Sequence, residues 1–79
     1  MDAQLEERIR HMWAGMSQTA IQRALDRRRE ILDSIRLELI RAYIGEGSET
    51  TQRQLQDLWA RYRKNKDFVD LFRDMLRGD

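Results

Sequence analysis

The sequence predicts an all-α protein: an antiparallel helical hairpin of two long arms, with a shorter N-terminal helix before it, in a three-helix or oligomeric bundle. Three observations predict it. The chain has no proline, and its four glycines stand at 15, 45, 47 and 78, so little interrupts helix between them. Two of the intervening stretches carry apolar residues at alternating steps of three and four, the spacing of a helix with one buried seam. Those two seams mirror each other about Gly45-Glu46-Gly47.

The first helix is placed at 2–14. Leu5, Ile9, Met12 and Met16 form its apolar stripe, and Trp13 widens it. Gly15 then marks a turn, and Ser17 is a good N-cap because its hydroxyl oxygen accepts an orphan backbone N–H. From Met16 to Ile21 the step is five, so the stripe loses phase at the turn and the chain bends there. Without that bend one straight helix over 2–44 would span roughly 65 Å.

The second helix, 18–44, carries the seam Ile21, Leu25, Arg28, Leu32, Ile35, Leu39 and Ala42. Its end is set by the glycine pair at 45 and 47. The third, 49–77, follows Ser48 and a capping box of Thr51 and Gln54, and its seam is Leu55, Leu58, Tyr62, Asn65, Val69, Phe72 and Leu76. A weaker break is placed at Asn65-Lys66-Asp67, with Asp67 as the cap of a last segment.

Register follows from arithmetic. In an antiparallel hairpin, opposed residues share a midpoint. Ile21 with Phe72, Leu25 with Val69, Leu32 with Tyr62, Ile35 with Leu58 and Leu39 with Leu55 all centre on the same glycine turn. The two polar members, Arg28 and Asn65, centre there too, so they face each other. A lone polar layer in an apolar seam sets register and oligomer state at some cost in stability. The other reading is that Arg28 snorkels outward to join a basic patch.

Such a hairpin leaves apolar residues off the seam: Ile31, Leu37, Ile40 and Ile44 on one arm, Trp59, Phe68 and Met75 on the other. That is more than a short first helix hides. The expectation is a homodimer or another protein partner, docked around Trp13, Trp59 and Phe68.

Composition removes several function classes. At 79 residues the chain is one small helical domain, 1–79. It has no cysteine and one histidine, His11, so neither a thiolate nor a histidine metal site is expected. No phosphate-binding glycine loop and no nucleophile–histidine–acid set is visible, so the chain reads as a non-enzyme without cofactor. The start MDAQLEERIR holds acids and no apolar core, and no uncharged stretch reaches membrane-spanning length; a cytoplasmic location is expected. The net charge of +1 supplies no global field toward nucleic acid.

Two resemblances point in different directions. Gly15-Met16-Ser17-Gln18-Thr19-Ala20-Ile21-Gln22-Arg23-Ala24-Leu25 resembles the turn and recognition helix of phage-repressor-like helix-turn-helix proteins. That resemblance implies that Gln18, Thr19, Gln22 and Arg23 contact DNA bases, with the Arg27–Arg29 run continuing toward phosphates. His11 stands where such motifs usually carry alanine. In layout the whole chain is similar to the small helical co-chaperones of type III secretion needle subunits. The corresponding stretches are Leu5-Glu6-Glu7, Gly45-Glu46-Gly47 and the glutamine-rich run from Gln52 to Gln56. It implies an aggregation-prone secreted subunit as partner, held together with a second chaperone. The function expected is therefore helical protein–protein binding, as an adaptor, co-chaperone or assembly factor. The competing class is a small helix-turn-helix DNA-binding regulator.

Overall fold

A computed structural model describes residues 1–45 and 51–78. They form three α-helices: α1, Ala3–Trp13; α2, Gln18–Tyr43; and α3, Gln52–Arg77. No strand occurs among the described residues.

Each helix begins at a side-chain cap. The Asp2 carboxylate accepts from Gln4 N–H at 3.2 Å, which makes Asp2 the cap rather than the first residue of α1. Ser17 Oγ accepts from Ala20 N–H at 3.1 Å, so the serine cap stands where the sequence puts it. At α3 the Thr51 hydroxyl accepts from Gln54 N–H at 3.2 Å, and Gln54 Oε1 accepts from Thr51 N–H at 2.9 Å. This reciprocal pair fixes the start of α3 at Gln52, three residues later than the expected 49. Ser48 and the second glycine of the turn lie outside the described residues. At the far end Gly78 has φ +81°, the left-handed conformation that closes a helix without a Cβ clash.

The hydrogen bonds between α2 and α3 show their direction. Arg28 reaches Asn65, 37 residues on; Arg36 reaches Tyr62, 26 on; Tyr43 meets Trp59, 16 on. The separation shrinks steadily toward the connection, as in an antiparallel hairpin. The molecule measures 46 × 24 × 15 Å, so the hairpin is a slab with two broad faces.

On α2 the apolar seam is buried at Ile21, Leu25, Leu32, Ile35 and Leu39. On α3, Asn65, Val69 and Phe72 are buried, whereas Leu55, Leu58, Tyr62 and Leu76 are only half-buried. On α3 the buried positions thus lie in its second half, the end away from the connection, where α1 packs. At 1.5 Å per residue α1 is roughly 16 Å long against roughly 39 Å for each arm. It covers only that end, inserting Ile9 into the core and setting Trp13 edge-on to Phe72 at 5.1 Å. Leu71 is 4% exposed in the same core, although it stands outside the two-helix seam.

One expectation changes along α3. Helix α3 runs through Asn65-Lys66-Asp67 without a break. Asn65 is held inside by neighbours, and Asp67 accepts the Met1 ammonium at 2.9 Å instead of capping a new segment. The hydrogen bond to Asp67, reinforced by its charge, raises the pKa of that amine. Ion pairs also lace the helix surfaces. Arg10 pairs with Glu6, one turn before it. Lys66, which has no acid upstream, pairs with Asp70 downstream at 3.9 Å.

Candidate partner-binding surface

The polar layer of Arg28 and Asn65 sits between two surfaces. Arg28 Nη1–H donates to Asn65 Oδ1 at 3.0 Å, and Asn65 Nδ2–H donates to the Arg61 carbonyl at 2.8 Å. The Arg28 guanidinium lies 4.3 Å from the centre of the Phe68 ring, a cation–π contact. Among the described residues no buried side-chain nitrogen or oxygen lacks a hydrogen-bond partner. Arg28 therefore stays half-buried in the seam, with Nη1 held by Asn65 and its guanidinium against Phe68.

The candidate partner residues do not form one patch. Trp13 and Phe68 are half-buried and pack on Phe72 from two directions; Phe68 stacks on it at 6.2 Å. Both line a 550 Å³ groove between α1 and the hairpin, together with Ile9, Arg28 and Ile31. Trp59 stands elsewhere. Ile40 lies nine residues after Ile31, and Trp59 nine before Phe68. At 3.6 residues per turn that is about two and a half turns, so each pair occupies opposite sides of its helix. The slab therefore carries α1 on one face and Trp59 on the other.

Around Trp59 the structure builds a second groove, 470 Å³ in volume, lined by Arg36, Leu39, Ile40, Tyr43, Ile44, Trp59 and Tyr62. Its side chains are ordered by one another. Trp59 Nε1–H donates to the Tyr43 hydroxyl at 3.0 Å, and the Trp59 and Tyr62 rings meet edge-on at 5.7 Å. Arg36 Nη2–H donates to the Tyr62 hydroxyl at 3.4 Å, while Asp33 approaches the same guanidinium at 3.7 Å. The Tyr62 bond raises the Arg36 pKa further, so the rim charge is permanent at physiological pH. The surface is nevertheless open: Trp59 is 38% exposed, Ile40 56%, Tyr43 63%, Ile44 67%, and Leu37, one turn before Ile40, 49%.

Sequence reasoning did not single out Tyr43. It follows Ile40 by three residues, so helical spacing alone joins it to Ile40 and Ile44 on one flank.

At the opening of α2, Gln18, Thr19, Gln22 and Arg23 are all exposed, and the Gln22 amide donates to Asp26 at 3.0 Å. Ile21 and Leu25, on the inner side of the same turns, are buried. Of the basic side chains nearby, Arg27 pairs with Glu30, Arg61 with Glu38 on the other arm and Lys66 with Asp70. No three metal-ligating side chains converge among the described residues, and no helix there is long and apolar enough to cross a membrane.

Comparison with protein-family models, with characterised proteins and with solved structures gives no match.

Proposed function

We propose that this chain is a non-enzymatic helical module that binds protein, as an adaptor, co-chaperone or assembly factor of the cytoplasm. The apolar face beside the α2–α3 connection does the binding. One observation carries the reading: Leu37, Ile40, Tyr43, Ile44 and Trp59 are all exposed at that end of the hairpin, where α1 does not reach. A small chain gains stability by burying such residues, so leaving five of them wet has a cost that docking removes. Trp, Tyr and Arg are also the side chains that most often dominate binding energy, and Trp59, Tyr43 and Arg36 stand together here. The resemblance to needle co-chaperones is consistent with an aggregation-prone apolar partner.

A DNA-binding regulator is the second reading, favoured by the exposure of Gln18, Thr19, Gln22 and Arg23 just after a turn. Against it, the same helix runs on to Tyr43 with its inner side committed to α3. The net charge of +1 gives little steering. The experiment is a pair of variants assayed for binding. Trp59→Ala weakens protein binding with the fold intact, and the double change Gln22→Ala, Arg23→Ala leaves it unchanged. Salt-sensitive retardation of duplex DNA, abolished by the Gln22/Arg23 change, would establish the regulator instead.

A further inference from the structure

We infer that the occupant of the Trp59 groove is a second copy of this chain, seated across a twofold axis that passes close to Ile40. The inference rests on the protein-binding reading above and names its partner.

Area is the first argument. With side chains of about 150–250 Å² each, the exposed fractions of Leu37, Ile40, Tyr43, Ile44 and Trp59 amount to roughly 550 Å² of largely apolar surface per copy. The whole chain exposes 6081 Å², so this is close to a tenth of it. Specific interfaces take about that share of a small protein, and the smallest stable ones bury about 600 Å² per partner. The rim around the five side chains supplies the small remainder.

Shape is the second. A twofold interface must fit itself. Ile40 and Ile44 border a hollow shared with Tyr43, Trp59 and Tyr62, and with Leu37, exposed one turn earlier, they form a ridge along α2. Two α2 helices crossing antiparallel near Ile40 set Leu37 of one copy against Ile44 of the other. Each ridge then fills the partner's hollow, and the opposed helix dipoles favour the arrangement.

Charge is the third. Arg36, the one ionic group lining the hollow among the described residues, already has Asp33 at 3.7 Å, and each copy carries only +1 overall. Two copies approach without the repulsion that keeps strongly charged chains apart.

The test is the mass of the full chain by light scattering over a concentration series, with Ile40→Asp and Met12→Asp beside it. Both sites are exposed, so neither change removes a core residue. The wild type and Met12→Asp reach twice the 9.6 kDa of one chain, whereas Ile40→Asp weakens association by about 100-fold. Ile40→Cys gives a positive readout in a chain with no other cysteine: it forms a disulfide-linked pair on oxidation, and Met12→Cys does not. A mass of one chain at every concentration overturns the second copy as occupant. So does a dimer that survives Ile40→Asp but dissolves on Met12→Asp. The apolar dye ANS then separates this failure from that of the underlying reading. Dye bound by a monomeric wild type and lost in Ile40→Asp leaves an apolar partner of another kind on the same face; no dye bound by either sinks both.

Discussion

At the scale of single residues, the buried layer of Arg28 and Asn65 is the most informative feature. A charge half-buried between helices is tolerated because each partner completes the other's hydrogen bonding and Phe68 covers the guanidinium. Removing one member leaves the other unsatisfied, so Arg28→Ala lowers unfolding free energy by about 1–3 kcal/mol. Removing both is different. Arg28→Leu with Asn65→Leu replaces the layer by packing and raises stability by about 1–2 kcal/mol, read from urea unfolding. A strongly destabilised double variant would show that the layer supports the fold rather than selecting its register. The apolar neighbours behave as ordinary core: Leu25 is 2% exposed, and Leu25→Ala costs about 2–5 kcal/mol in the same assay.

At the scale of elements, the long arms were legible in the sequence and the placement of α1 was not. Heptad spacing picks out Ile21, Leu25, Leu32, Ile35 and Leu39 because each needs only one partner helix to be buried. The shared midpoint likewise puts Arg28 opposite Asn65. A third helix can lie on either flank of a hairpin, and seam arithmetic does not distinguish them. That is why Leu71 went unseen as core, and why Trp13, Phe68 and Trp59 looked like one surface when the slab divides them. The start of α3 differs from the expected 49 for a local reason: the reciprocal bond between Thr51 and Gln54 makes Thr51 its cap. The division between faces predicts opposite outcomes for the two tryptophans. Trp13→Ala, which strips the contact of α1 with Phe72, lowers stability by about 2–3 kcal/mol. Trp59→Ala costs about 1 kcal/mol, since more of its ring is wet, and its larger effect falls on binding. Ser17→Ala removes the cap that starts α2 and costs about 1 kcal/mol in thermal or urea unfolding.

At the scale of the molecule, one short helix has to cover a hairpin more than twice its length. It covers the end away from the connection, and the other end keeps its apolar side chains in water. The proposed function is a consequence of that mismatch rather than of any one motif. A net charge near zero is no handicap to the proposed association, which burial of apolar area rather than a field would drive. The most direct test uses the fluorescence of Trp59 alone, in the Trp13→Phe variant, as protein concentration is raised. The account predicts that its emission moves to the blue and its quenching by acrylamide falls as the face is covered, with Ile40→Asp abolishing both changes. A Trp59 emission that stays solvent-exposed at every concentration, and with every apolar peptide offered to it, would contradict it.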